Sequence, residues 1–393
     1  MLDQRDIQSN IDKFIYDLFD YALRVKASDI HIEPENSFGR IRLRIDGRLK
    51  EILGLNTNNF EKLVSKIKLL SNMDISEHRR PQDQNLRLRG FEDIDFRVSA
   101  IGTNCGEKVV IRILSINDYK NRSNLLGFSD ESKEKLQNAI KSRSGMIIFS
   151  GPTGSGKSTS LYSLLNRLNI EDENIITVED PVEYNIEGIN QVQINEKIGF
   201  GFAEALRSIL RQDPDIIMIG EIRDLETAEI AIRSAITGHL VLTTLHTNNA
   251  LSSIIRLKDL GIENYLLSSS INAVASQRLI RKLCDCKTPS LMTDEEYKIA
   301  RKYVNIDRDR RVYRANGCPK CNDGYLGREA CEEVFIITDE FRDMIRADKI
   351  DLVSLRDYAR ENSFKTMAAQ GIFKVFDGVT SFDEIYRVMF DQL

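Results

Sequence analysis

Gly151-Pro-Thr-Gly-Ser-Gly-Lys-Ser158 fits G-x-x-x-x-G-K-[ST] at every fixed position. It follows an apolar run, Met146 to Ser150, that reads as a strand, and precedes Thr159 to Leu168, which reads as a helix. Strand, glycine loop and helix are the context in which this motif cradles phosphate. Gly151, Pro152, Thr153, Gly154, Ser155, Gly156, Lys157, Ser158 and Thr159 together form the expected cradle. Its glycines let the backbone curl so that several N–H groups point at one anion, and the helix N-terminus adds partial positive charge. Lys157 is expected to reach the β- and γ-phosphates, and the Ser158 hydroxyl to ligate Mg2+. The implied ligand is ATP.

Outward from the loop, apolar strands at 145–150, 175–179, 215–220 and 239–245 alternate with helices. That alternation predicts a parallel sheet covered on both faces. Upstream the pattern differs. A helix over 10–27 carries apolar residues at 3-4 spacing, from Ile11 to Leu23. Strands are expected at 29–33, 40–46, 48–53, 85–89, 93–100 and 107–114, with a helix at 60–71 and an Asp46-Gly47 turn. The predicted organisation is an α+β domain over 1–115, a linker over 116–128 centred on polar Asn117 to Asn124, and an α/β nucleotide-binding domain over 129–280. A cysteine-bearing subdomain over 281–338, with a helix at 294–303, and short helices over 339–393 follow.

The 393 residues suit two or three domains, and 41% apolar with 29% charged residues can bury real cores. Disordered, collagen-like and small disulfide-framed classes are excluded. The net charge of −5, from 55 basic against 60 acidic residues, gives no reason to expect direct nucleic-acid binding. No apolar run approaches the ~20 residues that cross a bilayer, and the N-terminus has no apolar leader. Six cysteines in a chain of this length fit a reduced compartment, so a cytoplasmic protein is expected.

Hydrolysis needs carboxylates near the phosphates. Asp215 to Glu221 is an apolar strand that ends in Gly220-Glu221, where many P-loop proteins put an acidic Mg2+ ligand just before the glutamate. Gly220 cannot serve, whereas Glu221 can polarise the attacking water. Glu179, Asp180 and Glu183 crowd three carboxylates at another strand end, which makes sense near Mg2+ or a water to be activated.

Four blocks then resemble the secretion ATPases of type II secretion and type IV pilus systems. They are the P-loop, Thr177 to Tyr184, Gly220 to Ala228, and Thr237 to Asn248. The resemblance implies a PAS-like N-terminal domain joined to a RecA-like ATPase domain, assembled as a homohexamer. It also implies ATP hydrolysis coupled to an inner-membrane platform protein, with peripheral association at the inner face of the membrane. By the same resemblance, Glu183 and Glu221 position or deprotonate the attacking water. His246 is the candidate γ-phosphate sensor. His239, at the other end of the same strand, more simply fixes that strand or a subunit contact. Arg97, Arg112, Arg207 and Arg211 are candidates to approach the nucleotide from the N-terminal domain or across the hexamer interface, against surface ion pairs as the plainer account. Arg40, Arg42 and Arg44 share one strand face and read as a solvated basic surface, with a subunit contact as the second account.

Cys284-Asp-Cys286 and Cys318-Pro-Lys-Cys321 read as a four-thiolate Zn2+ site. Extension-type members of the family carry two C-x-x-C pairs here, and this chain is one residue short in the first. Cys331 is therefore an alternative ligand to Cys286. Two rival functions are a RecA-like ATPase acting on DNA and a nucleotide-gated adaptor with little hydrolysis. The acidic balance and missing tryptophan oppose the first, and the complete Lys157, Ser158 and Glu221 positions oppose the second.

Overall fold

Asn10 separates the first two helices, α1 (Arg5–Ser9) and α2 (Ile11–Arg24), and its side chain accepts a hydrogen bond from the Lys13 N–H at 3.0 Å. Phe14, Ile15, Leu18, Phe19 and Ala22 of α2 are buried, as the 3-4 spacing predicts. The helix stops at Arg24 rather than 27, because Lys26 turns into the left-handed region, φ 55°, to enter the first strand. The computed structural model describes residues 3–115, 125, 127–362 and 364–390. The chain divides into two units, Met1–Asn121 and Arg122–Leu393. The linker expected at 117–124 lies outside the described residues.

The N-terminal unit continues through β1 (Ala27–Pro34), β2 (Phe38–Ile45), β3 (Arg48–Asn56), α3 (Thr57–Leu70), β4 (Gln82–Leu86), β5 (Ile94–Thr103) and β6 (Gly106–Ser115). The strands form one antiparallel sheet in the order β3-β2-β1-β6-β5-β4. Asp46 and Gly47 both have positive φ, which a two-residue type I′ hairpin requires. Ile30, Ile32, Ile41, Leu43, Phe96, Val98 and Ile111 bury one sheet face in the same core as α2 and α3.

The opposite face corrects the expectation of a solvated basic surface. Arg40 and Arg42 meet Glu33, with Nε to Oε2 distances of 3.2 and 2.6 Å, and Arg44 meets Asp29 at 3.4 Å. Lys108 joins Glu33 at 2.9 Å. Burial works against the Glu33 carboxylate, yet Arg42 and Lys108 hold its pKa down at about 2. Arg40, Arg42 and Arg44 on β2 stand across from Glu33, His31 and Asp29 on β1, and the two carboxylates at the ends of that row draw all three guanidiniums into ion pairs.

The second unit runs α4 (Asp130–Ala139), β7 (Gly145–Ser150), α5 (Lys157–Leu168), β8 (Ile175–Glu179), β9 (Asn190–Gln193), α6 (Phe202–Ile209), β10 (Ile216–Ile219), α7 (Leu225–Ile236), β11 (Leu240–Leu245), α8 (Ala250–Asp259), α9 (Asn264–Ser270) and β12 (Ile271–Leu283). Then come β13 (Thr288–Leu291), α10 (Asp294–Ala300), β14 (Arg311–Arg314), β15 (Tyr325–Ile336), α11 (Asp339–Arg346), α12 (Leu352–Glu361), α13 (Met367–Phe376) and α14 (Phe382–Ile385). The large sheet has the order β15-β12-β7-β11-β10-β8-β9. All neighbours are parallel except β15, which pairs antiparallel with β12. Both faces are buried: Met146 and Ile148 of β7 enter one core, and Ile147 and Phe149 enter the other.

Five strands of this unit were not foreseen: β9, β13 and β14, and the two that matter most here, β12 and β15. β12 carries polar residues from Gln277 to Lys282, and β15 lies among the cysteines. β12 passes through position 280 and β15 returns to pair with it, so the cysteine-bearing region is anchored in the nucleotide-binding sheet. α10 ends at Ala300 rather than 303, starting from a Thr293–Glu296 capping box.

Candidate active site

The glycine loop spans the gap between β7 and α5. Gly151, Gly154 and Gly156 take φ values of 143°, 76° and 90°, which L side chains rarely adopt. Lys157 folds back over the loop, its Nζ donating to the carbonyls of Gly151 at 2.7 Å and Pro152 at 3.1 Å. Burial pushes the Lys157 ammonium down to about 8, while the charge of Glu221 works the other way. Ser158 is exposed and Thr159 half-buried at the first turn of α5.

Glu179 ends β8 buried and fully engaged. Its Oε1 accepts from Thr177 Oγ1 at 2.6 Å and Gln191 Nε2 at 3.1 Å, and its Oε2 accepts from the Tyr162 hydroxyl. Burial and the Glu179 charge push the Tyr162 phenol up. The same hydroxyl accepts from the Glu183 N–H at 3.3 Å. Glu179 thus anchors the following loop through Tyr162 instead of standing open to a cation. Asp180 is exposed, Pro181 follows it through a cis peptide, and Glu183 is half-buried.

Gly220 brings Glu221 to the end of β10. Its N–H donates to Val178 O at 2.8 Å and its carbonyl accepts from Thr244 Oγ1 at 2.6 Å. A Cβ here would stand 3.3 Å from Val178 O, so any side chain at this position would press on the backbone of β8. Glu221 Oε2 lies 3.2 Å from His246 Nε2, and Oε1 accepts from Arg223. The hydrogen bond to Glu221 raises the Arg223 guanidinium pKa, with Asp180 and Glu196 adding to the effect. Arg223 was missed as a site residue, although it stands two positions beyond Glu221.

The remaining candidates lie elsewhere. His239 Nδ1 is 3.0 Å from Ser234 O, tying the start of β11 to α7. Arg207 pairs with Glu226 on α7. Arg211 lies past the end of α6 and donates to Arg207 O at 2.7 Å. Arg97 and Arg112 are register partners on β5 and β6, lining a cavity of about 430 Å³ in the N-terminal unit with Asp83, Asn85 and Ser99. Arg112 Nε donates to Asp29 at 3.3 Å.

The sulfurs of Cys284, Cys286, Cys318 and Cys321 all lie within 4.8 Å of one another. The Cys284–Cys318 and Cys286–Cys321 separations are 3.9 and 3.8 Å. A tetrahedral ion with Zn–S near ~2.3 Å needs sulfurs ~3.8 Å apart, so the donor set fits Zn2+. The Lys287 N–H bonds to Cys284 O at 2.9 Å, a tight turn that lets Cys-x-Cys present both thiols. Cys331 is corrected: it is wholly buried on β15, donates to Met367 O at 3.4 Å, and takes no part in the cluster.

The model of the type II/IV secretion system protein family matches residues 4–387. The chain belongs to this family. It is 44% identical to the type II secretion system protein E of Aeromonas hydrophila over 98% of this chain and 76% of that protein. It is also 44% identical to the type IV pilus assembly ATPase PilB of Acinetobacter baylyi, over 97% of this chain and 66% of that protein. The crystal structure of the pilus retraction motor PilT with bound ADP superposes with a TM-score of 0.63 at 27% identity, covering 94% of this chain and 95% of that one. The Legionella pneumophila ATPase DotB shares the fold, with a TM-score of 0.67 at 21% identity. The protein is therefore a secretion ATPase. No helix among the described residues is long and apolar enough to cross a membrane.

Proposed function

We propose that this secretion ATPase hydrolyses ATP to drive assembly of a type II pseudopilus or a type IV pilus. It works as a homohexamer, against an inner-membrane platform protein, from the cytoplasmic face of that membrane. The observation that carries the catalytic reading is the Glu221–His246 pair at 3.2 Å, with Glu221 close enough to Lys157 to influence its charge.

In this reading the loop amides hold the phosphates that stay in ADP, Lys157 reaches the β- and γ-phosphates, and the Ser158 hydroxyl would hold Mg2+, which when bound spreads the phosphate charge. Glu221, with Glu183 as the second carboxylate, accepts the proton of the attacking water. The water oxygen bonds to the γ-phosphorus while the bond to the β-bridging oxygen breaks, and ADP leaves. His246 holds Glu221 in place and meets the γ-phosphate. Loss of the phosphoryl group changes the charge that this pair faces, which is the event that domain rotation would follow.

Arg207 and Arg211 are exposed, which suits an approach across a subunit boundary, and the N-terminal unit is read as a PAS-like domain. The Cys284, Cys286, Cys318 and Cys321 cluster is read as structural Zn2+, as in extension-type members. An ATPase assay of the purified chain, with and without single-stranded DNA, tests the whole reading. DNA-independent hydrolysis abolished by Lys157→Ala is expected. Hydrolysis that requires DNA, or survives Lys157→Ala, would overturn it.

A further inference from the structure

Gln277 is a polar residue buried to 1% exposure, and nothing in the catalytic scheme above uses it. It lies on β12, next to Ser276, which is the register partner of Ser150 at the end of β7. Its Nε2 donates to Ser155 O at 2.7 Å, and its Oε1 accepts from Ser160 Oγ at 2.8 Å. Ser155 belongs to the glycine loop and Ser160 to the first turn of α5. The two bonds therefore bracket Gly156, Lys157 and Ser158.

The backbone of Gln277 approaches the loop as closely as its side chain does. A Cβ on Gly151 would stand 2.4 Å from Gln277 O, and one on Gly156 would stand 2.9 Å from Gln277 Nε2. Gly151 is thus required by the Gln277 backbone, whereas Gly156 is glycine for its φ of 90° and meets only the movable end of the side chain. The Ser155 carbonyl and the Gly156 N–H share a planar trans peptide, so they point in opposite directions. Drawing the carbonyl toward β12 turns the N–H away from it, the side from which a phosphate can be met.

We infer that Gln277 is a positioning residue of the phosphate loop, holding the Ser155 carbonyl and the first turn of α5 so that the loop amides are aligned before nucleotide arrives. The inference rests on the reading of this loop as the ATP site. Contacts to the phosphates that are not transferred are alike in the ground and transition states, so loosening the loop raises KM and leaves kcat nearly unchanged.

Three variants of the full chain test it: Gln277→Leu, Gln277→Glu and Ser160→Ala, each followed by ATP hydrolysis kinetics and thermal melting. Gln277→Leu is expected to raise KM about tenfold, with kcat within about twofold of wild type, and Ser160→Ala, which removes one of the two bonds, about threefold. Gln277→Glu supplies the decisive readout. A protonated carboxyl has the shape of the amide and can donate to Ser155 O while accepting from Ser160, whereas a carboxylate cannot donate. The titratable groups on the elements around it are Glu332, wholly buried and directly across on β15, and Lys157 at the start of α5. Burial keeps such a carboxyl protonated well above the usual range, with the Lys157 ammonium working the other way.

The KM of Gln277→Glu, taken relative to wild type at each pH, should be close to one near about pH 6 and climb toward the leucine variant by about pH 8.5. A purely volumetric role would leave that ratio flat. An unchanged KM in Gln277→Leu, a fall in kcat at unchanged KM, or a flat ratio in Gln277→Glu would overturn the inference. Should Gln277→Leu melt far below wild type, the glutamate variant at low pH and Ser160→Ala decide between the same outcomes. A wild type without ATPase activity would instead overturn the functional reading, which is a distinguishable result.

Discussion

His246 Nε2 stands 3.2 Å from Glu221 Oε2, across the ends of the neighbouring strands β11 and β10. The imidazole is half exposed, while Glu221 is largely covered and is held from its other oxygen by Arg223. This arrangement fixes a carboxylate at the rim of the sheet close to Lys157. Replacing His246 by Ala leaves Glu221 held on one side only. The expected result is a kcat lower by roughly 10- to 100-fold with ATP affinity nearly retained, the signature of a group that acts on the transition state. Steady-state kinetics alongside a direct nucleotide-binding titration measure both. A proportional loss of binding would place His246 in ground-state recognition instead.

Lys157 carries a pH dependence whose sign can be worked out. Its folded-state pKa is lowered from 10.5 to about 8, chiefly by burial. Between those values the unfolded chain binds more protons than the folded one, so the nucleotide-free protein gains stability as pH rises through that window. Polyphosphate in the loop favours the charged ammonium, so ATP or ADP binding should take up a proton near about pH 9 and none near about pH 6.5. Calorimetric titrations in buffers of different ionisation enthalpy read that number directly. The same titration of Lys157→Met should show no uptake at either pH, and uptake that persists there would assign the proton to another group.

The sheet was legible around the loop because β7, β8, β10 and β11 are short apolar runs buried on both faces, a pattern with few competing readings. β12 escaped because its second half runs in polar and apolar pairs, Gln277-Arg278, Leu279-Ile280 and Arg281-Lys282, and forms neither an apolar run nor a single alternation. Gln277, Arg278 and Arg281 look like surface residues until their partners appear, at Ser155, at Val388 and at Glu384. Sequence alone carries no signal for such long-range pairing. Glu179 shows the converse: its proximity to the loop was legible, yet the donors Thr177, Tyr162 and Gln191 that engage it come from three different elements. Cys331 matched a ligand by residue type and spacing, and only β15 placed it in a core instead.

The cysteine cluster makes a stoichiometric claim. One Zn2+ per chain is expected, bound by Cys284, Cys286, Cys318 and Cys321, with Cys331 uninvolved. Cys318→Ser with Cys321→Ser should release the ion and open the loops that carry the thiols to protease, while Met292, Ala300, Val304 and Val312 keep the rest of the segment packed against α13. Cys331→Ala should keep the ion. Elemental analysis of the three proteins settles the ligand set, and an unchanged metal content in the double variant would refute it.

Arg281 and Glu384 form the strongest tether between β12 and the C-terminal helices. The Arg281 N–H, Nε and Nη2 donate to Glu384 at 3.0, 2.9 and 2.7 Å, and both side chains are buried, Glu384 completely. Burial opposes the Glu384 charge, but Arg387 and Arg281 together hold its carboxyl below the usual range. Arg281→Met leaves the buried Glu384 with Arg387 as its one remaining cation, so a loss of about 3 kcal/mol or somewhat less is expected, whereas Arg281→Met with Glu384→Leu should recover part of it. The acid limb gives an independent check. A depressed carboxyl contributes stability above its unfolded pKa of about 4.5 and loses it as pH falls through the folded value. Glu384→Gln should therefore lie well below wild type in denaturant titrations at neutral pH and approach it in acid. Parallel behaviour of the two proteins at every pH would mean that Arg281 is held by its stacking on the Tyr325 ring, 3.8 Å away, rather than by the carboxylate.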